Sequence, residues 1–332
     1  MSSEFDPKNF PVGIIGLGMM GSSIAVCMLI AGHPVTGVEL VEGALAAARL
    51  RINNHFKLAE EKGLLTGKVE DYLDKLHISA DLAQLKDCQL VIESIKEDIN
   101  IKGEVFKAVD KIVSKDAYIT SNTSAIPITD LQVFVSHPER FFGLHWMEPA
   151  FTTRFLEVIC GEKSDLDKAQ FLYGLGELWQ KETVLLKKDI PGFIANRLMY
   201  AMYREAMHLV DGDYASVEDV DRACRNVAGY FIPMMGVFRW MDFTGIASYR
   251  KVMKDLFPTL DNSDAPGRLI NKIVDEGGLG ITNGKGFYDY TEEEKEVWQK
   301  LYSDFSFEIR DLTLKYPADI VQQKLKEKKE EK

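Results

Sequence analysis

The segment Gly16-Leu17-Gly18-Met19-Met20-Gly21 constrains this chain more than any other. A strand-like apolar run, Val12 to Leu17, leads into it. Behind it, from Ser22 to Ala31, the apolar positions Ile24, Met28 and Ala31 recur at helical spacing until Gly32 stops the pattern. A second short run, Val35 to Glu39, arrives one helix later and ends on an acid. Strand, glycine turn, helix, strand and terminal acid form the pattern of a dinucleotide-binding βαβ unit; a glycine turn alone would be a weak sign. Gly16 permits the tight turn, Gly18 admits a pyrophosphate close to the backbone, and Gly21 lets the helix press on the strand. The helix N-terminus offers unpaired N–H groups to the anion. Glu39 would bond a ribose 2′-hydroxyl and repel a 2′-phosphate, and Leu40 and Val41 bring no arginine, so NAD is expected rather than NADP. Gly16, Leu17, Gly18, Met19, Met20, Gly21 and Glu39 are the expected cofactor contacts.

The alternation continues along the first half. Strand-like runs recur at Leu90 to Ser94, Tyr118 to Thr120, Phe141 to Leu144 and Phe155 to Ile159, with helical stretches at Glu42 to Lys62, Ile99 to Val113 and Leu166 to Trp179. This order predicts a doubly wound, mostly parallel sheet with helices on its faces. After Pro191 the texture changes. Phe193 to Leu209 and Ser216 to Val227 read as helices, the latter opened by Ser216-x-x-Asp219, and no strand pattern follows as far as Leu314. The expected organisation is a Rossmann domain over residues 1–190 and an all-helical domain over 191–332 with a charged tail.

Composition excludes several classes. With 332 residues and 46% apolar content, the chain can build two ordinary cores rather than remain disordered. Fifty-one acids against 40 bases, a formal charge of −11, oppose general nucleic-acid binding. The four cysteines are far apart, which argues against a disulfide framework and a zinc site and fits a reducing cytoplasm. No metal site is expected. The polar, acidic start lacks a secretory pattern, and the longest apolar stretch, Ile24 to Ala31, is too short to span a bilayer.

Hydride transfer from a secondary alcohol needs a general base on the hydroxyl and donors that hold the oxygen. Of six histidines, His145 has the best address, at the end of a strand where the cleft of a doubly wound sheet opens. Glu157 lies on the next apolar run, where it could orient an imidazole and stabilise its charge. Ser121, Asn122, Thr123 and Ser124 end another strand and would line the same edge, although such a run is also a common helix cap.

These pieces, in this order, resemble the 3-hydroxyacyl-CoA dehydrogenase family, including its lambda-crystallin and L-gulonate 3-dehydrogenase relatives. The resemblance covers about Val12 to Tyr290 and adds Val91-Ile92-Glu93, Gly143-Leu144-His145, Leu156-Glu157-Val158, Pro191 to Arg197 and Gly284-Lys285-Gly286-Phe287-Tyr288. It implies that His145 is the general base and Glu157 its partner, and that Ser124 and Asn196 hydrogen-bond the substrate oxygen. It further implies that Glu97 and Lys102 contact NAD, that Lys62 meets CoA, and that the helical domain forms a homodimer with the active site between the domains. Asn196 and Lys62 have plainer readings beside these, as a packing residue and as a cation at a helix C-terminus.

The sequence departs from the family at three places. Glu148, in His145-Trp146-Met147-Glu148-Pro149, stands where the family has an asparagine that orders nicotinamide and substrate. His55 stands at a CoA-contacting serine position. The usual Gly-Tyr-Pro-Met-Gly-Pro is stretched to Gly229-Tyr230-Phe231-Ile232-Pro233-Met234-Met235-Gly236-Val237. The expected reaction is the reversible NAD-dependent oxidation of an L-3-hydroxyacyl-CoA to the 3-oxoacyl-CoA. The alternatives are a dehydrogenase of a free polar 3-hydroxy acid such as a sugar acid, and a non-catalytic NADH-binding protein.

Overall fold

The computed structural model describes residues 5–330; the ends of the polar N-terminus and of the charged tail lie outside the described residues. Eight strands form one sheet: β1 (Val12–Ile15), β2 (Val35–Val38), β3 (Leu76–Ser79), β4 (Leu90–Glu93), β5 (Tyr118–Ser121), β6 (Phe141–Trp146), β7 (Phe155–Cys160) and β8 (Glu182–Leu186). Their spatial order is β3-β2-β1-β4-β5-β6-β7-β8. From β3 through β6 every neighbouring pair is parallel, β7 runs antiparallel to β6, and β8 is parallel to β7. The chain winds outward from β1 to β3 and then returns to β4 on the other side of β1. This reversal between β1 and β4 is where a doubly wound sheet opens a ligand crevice beyond its carboxyl ends.

The central strands β1 and β4 are buried throughout, as strands covered on both faces must be. Around them run α1 (Met19–Ile30), α2 (Leu45–Glu61), α3 (Val69–Leu73), α4 (Ile99–Ile112), α5 (Ile128–Leu131) and α6 (Leu166–Leu178). Local chemistry fixes the helix starts. Asp98 accepts from the N–H groups of Asn100 and Ile101 to open α4, and Asp165 does the same for α6. On one face of the sheet Phe106 of α4 meets Phe141 of β6 edge to face at 4.8 Å, inside a core that includes Val91, Val105, Ile119 and Leu131.

Two compact units divide the chain, one ending at Arg197 and the next starting at Leu198. In sequence, α7 (Ala195–Asp211) carries the chain out of the first unit. The second unit continues with α8 (Val217–Ala223), α9 (Gly229–Thr244), α10 (Ile246–Leu256), α11 (Arg268–Asp275), α12 (Glu292–Lys315) and α13 (Ile320–Glu330). Ser216 caps α8 through the N–H of Asp219, and a π-turn over Cys224–Ala228 joins α8 to α9. The stretched segment departs from regular helix inside α9: Gly236 adopts φ 65°, three residues after Pro233. Beyond isolated bridges at Gly280–Lys285 and Lys285–Asp289, the described part of this unit contains no strand pairing. Its helices leave large apolar side chains open, among them Tyr230 (82% exposed), Phe238 (80%) and Phe243 (73%), and Phe307 is the one apolar side chain in its core among the described residues.

Candidate active site

The glycine turn is built as its sequence requires. Gly16 has φ 83°, a left-handed value that a side chain resists, and a Cβ there would sit 2.7 Å from the Ser94 carbonyl oxygen. A Cβ on Gly21 would lie 1.8 Å from the Gly16 carbonyl oxygen, so only glycine lets α1 approach this closely. A Cβ on Gly18 would meet nothing within 4 Å, which leaves the backbone there open. Gly18 caps α1 without a side-chain bond, so the first N–H groups of the helix remain available to an anion.

The neighbouring peptide is held from two sides. Glu39 Oε2 accepts from the Leu17 N–H at 2.9 Å and Oε1 from the Val41 N–H at 3.0 Å. Arg51 of α2 donates to the Leu17 carbonyl through Nε at 3.0 Å and Nη2 at 2.8 Å. Leu17, expected among the cofactor contacts, is fully buried with both peptide groups taken, so its place is to fix the turn while Gly18 and Met19 face outward. Each Glu39 oxygen keeps a lone pair for a ribose hydroxyl. The open Gly18, the free helix terminus and the recessed carboxylate together fit a dinucleotide.

Across the switch point lies a polar network. Glu93, the last residue of β4, is fully buried, and Lys102 of α4 is 1% exposed. Lys102 Nζ is 2.6 Å from Glu93 Oε1 and 3.1 Å from Glu97 Oε2. Ser121 Oγ donates to Glu93 Oε2 at 2.6 Å. Glu97 Oε1 accepts from the Thr123 hydroxyl, the Ser124 N–H at 3.0 Å and the Ala125 N–H at 3.2 Å. Burial pulls the Glu97 carboxyl upward, but the Thr123 bond and the Lys102 charge and hydrogen bond outweigh it and hold the group below its ordinary value. Lys102, expected to contact NAD, lies inside the network between two carboxylates.

His145 and Glu157 are directly opposite partners in the antiparallel β6–β7 ladder, which brings side chains twelve residues apart face to face. His145 Nδ1 lies 2.7 Å from Glu157 Oε2, with His145 4% and Glu157 0% exposed. The other carboxylate oxygen, Oε1, accepts from the N–H groups of Ile194 at 2.9 Å and Ala195 at 3.1 Å, at the start of α7. Asn196 Nδ2 donates to the Ser124 carbonyl oxygen at 3.0 Å, so Ser124 is held at both peptide groups while the residue itself is exposed. Phe193 packs its ring 5.6 Å from the His145 ring and adopts φ 51°, unusual for a residue with a side chain. Asn122 is also fixed, accepting from the Trp146 N–H at 2.9 Å and donating to Ser94 Oγ at 3.2 Å.

The positions where the sequence departs from its family have distinct surroundings. Burial pushes the Glu148 carboxyl up to about 7 against a bond from Ser23 of α1, and its buried Oε2 has no hydrogen-bond partner. Ser23 Oγ also accepts from the Ala150 N–H at 2.6 Å, tying the Glu148 loop to α1. His55 turns inward: Nε2 is 3.2 Å from Ser22 Oγ, and its ring lies 5.4 Å from that of Phe151. Burial, with the Arg51 charge, holds His55 below the ordinary imidazole value. Lys62 caps the C-terminus of α2, seven residues beyond His55.

Comparison with known proteins agrees with this geometry. Residues 11–190 match the family model of the 3-hydroxyacyl-CoA dehydrogenase NAD binding domain, and residues 192–290 that of its C-terminal domain. The chain is 34% identical over 279 residues to a probable 3-hydroxybutyryl-CoA dehydrogenase of Deinococcus radiodurans, covering 84% of this chain and 99% of that protein. It is 31% identical over 289 residues to 5-formyl-3-hydroxy-2-methylpyridine 4-carboxylate 5-dehydrogenase of Mesorhizobium japonicum, covering 87% and 93%. A crystal structure of a 5-dehydrogenase of that name, described as an NAD+ dependent dismutase, matches with a TM-score of 0.84 at 30% identity, covering 91% of this chain and 97% of the other.

Proposed function

The chain belongs to the 3-hydroxyacyl-CoA dehydrogenase family of NAD-dependent oxidoreductases, and from that premise we propose that it oxidises an L-3-hydroxyacyl-CoA reversibly to the 3-oxoacyl-CoA. The observation that carries the reading is the His145–Glu157 pair, closed at 2.7 Å inside the protein. An ionised carboxylate can only accept, so Glu157 keeps the proton on Nδ1 and leaves Nε2 free to take one. His145 Nε2 removes the proton of the substrate hydroxyl as the oxygen becomes a carbonyl, and returns it in the reductive direction. Bound NAD+ supplies the hydride acceptor. The exposed Ser124 hydroxyl and the remaining N–H of Asn196 hold the reacting oxygen while its charge changes. Glu39 and the glycine turn bind the dinucleotide, Glu97 and Glu148 border it, and Lys62 and His55 lie on the side assigned to CoA.

In this reading the first unit binds cofactor, and the helical unit supplies a homodimer surface. The exposed rings of Tyr230, Phe238 and Phe243 support the second role, since single chains rarely leave so much aromatic surface to water. Four cysteines, none of them in a disulfide among the described residues, support a cytoplasmic setting. Among the described residues, no helix is long and apolar enough to cross a membrane.

A second reading keeps the chemistry and changes the substrate to a free, polar hydroxy acid or carbonyl compound. Glu148 and His55 favour it. A carboxyl with an unpartnered oxygen suits a hydroxyl-bearing substrate better than an acyl chain, and an inward, neutral imidazole offers CoA no charge. NADH oxidation with acetoacetyl-CoA, run beside acetoacetate, decides between them. Turnover restricted to the thioester, lost by about a hundredfold in His145→Gln with NADH binding intact, is the result expected. Absence of thioester turnover in protein that binds NADH overturns the acyl-CoA reading in favour of the polar one.

A further inference from the structure

Glu93 is a fully buried carboxylate that the reaction scheme leaves without a role, and Lys102 beside it is only 1% exposed. Burying such a pair is costly unless every remaining donor and acceptor is met. Here they are met in a particular direction. Glu93 Oε1 accepts from Lys102 Nζ and from the Ile95 N–H, each at 2.6 Å, and Oε2 from Ser121 Oγ at 2.6 Å. Lys102 then turns to Glu97 Oε2 at 3.1 Å, and the other oxygen of Glu97 gathers the Thr123 hydroxyl and the N–H groups of Ser124 and Ala125. The line of contacts runs from the end of β4, through α4, to the turn after β5. It stops at Ser124, whose C=O is held by Asn196 and whose side chain alone is left open.

The geometry points to Glu93 and Lys102 as positioning residues for the Ser124 hydroxyl, acting through Glu97; this rests on the assignment of Ser124 to the substrate oxygen. Without Lys102, the Glu97 side chain loses the contact that sets its direction. The turn it caps then samples other arrangements, and the hydroxyl leaves the place where the reacting oxygen arrives. An error of about 1 Å at such a group is enough to cost up to about a hundredfold in rate.

The test removes the pair together, so that no buried charge is orphaned, in Glu93→Gln/Lys102→Met. Two quantities are read. The first is amide hydrogen exchange at Ser124 and Ala125, which needs no substrate. It is expected to accelerate by about tenfold or more, while the Leu17 amide, held by Glu39, stays protected. The second is a mutant cycle in acetoacetyl-CoA reduction. Ser124→Ala is expected to cost about tenfold in kcat in the parent protein and less than about twofold in the double variant, because the hydroxyl is already misplaced there. Unchanged exchange at Ser124 and Ala125 overturns the proposal, as does a Ser124→Ala cost that is equal in both backgrounds. A Ser124→Ala substitution that costs nothing in the parent refutes the role given to Ser124 itself; the exchange result then still decides whether the pair holds the turn. Should the double variant fail to fold, Lys102→Gln is the replacement: it keeps a donor for Glu93, removes the ammonium that faces Glu97 and leaves Glu97 itself in place, so the same exchange and cycle outcomes apply to it.

Discussion

Glu157→Gln separates two duties that one carboxylate performs. In the native protein Oε2 accepts from His145 Nδ1, and Oε1 accepts from the N–H groups of Ile194 and Ala195. Glutamine offers one accepting oxygen and one donating NH2, so it can satisfy only one side in the native sense. If its oxygen faces His145, the NH2 confronts two part-buried N–H donors, each losing its acceptor at a cost of about 1 kcal/mol. If its oxygen faces α7, both backbone donors are met and the NH2 points at Nδ1. That nitrogen must then present its lone pair, which puts the ring proton on Nε2 and removes the base. The second arrangement leaves no group unpaired and should win. The expected protein melts within a few degrees of the parent and binds NADH normally. Its kcat falls by about 10²–10⁴, or about 3–5 kcal/mol in barrier, the range set by a catalytic imidazole locked in the wrong tautomer. Steady-state NADH oxidation, fluorescence titration with NADH and a thermal melt measure the three quantities. A kcat within about threefold of the parent, in a protein of unchanged stability, would refute the tautomer argument. A collapse of stability would show that the first arrangement prevails.

Two further outcomes are expected. Gly21→Ala places a methyl group 1.8 Å from the Gly16 carbonyl oxygen, so the glycine turn must open and NADH affinity should fall by about tenfold or more; an unchanged titration would mean that α1 yields without disturbing the turn. Glu148, pushed up to about 7 by burial against an ordinary value of 4.5, makes the folded state bind more protons than the unfolded one between those values. Its contribution to stability is therefore lost as pH rises from about 4.5 to 7, and the melting temperature of Glu148→Gln should fall less across that window than the parent's. Parallel curves would show that this carboxyl is ionised in the folded protein.

Much of this fold is legible in the sequence because its signals are local. The glycine turn, the acid at the end of β2 and the apolar runs of β1, β4 and β6 each follow from a few adjacent residues. Two strands escape that reading. Leu76–Ser79 alternates poorly and is only partly buried, as befits an edge, and Glu182–Leu186 begins with an acid and runs on from a helical stretch without a glycine or proline break. The candidate site divides in the same way. The address of His145 at a strand end is local, and Glu157 on the following run could be paired with it. Their contact at 2.7 Å depends on β7 reversing against β6, an antiparallel step that no residue near either one announces. The burial of Lys102 is less visible still. A lysine in an amphipathic helix reads as a solvated cation, and only the β4–β5 pairing brings Glu93 and Ser121 together beside it.

Phe193 sets two demands that few side chains can meet together. Its ring, 1% exposed, walls the imidazole, while its backbone holds φ 51° just ahead of α7. Glycine would take that conformation freely and leave a hole beside the base; valine or isoleucine would fill part of the hole and resist the conformation. Tolerance to substitution should therefore change abruptly along the chain. A library of all residues at 193 should return little beyond the aromatic parent and its nearest likeness, whereas 194, where Ile194 is 39% exposed and contributes its backbone N–H to Glu157, should accept most residues except proline. Two adjacent positions, both at the edge of the reacting centre, would then mark where function constrains the side chain and where it constrains the main chain alone.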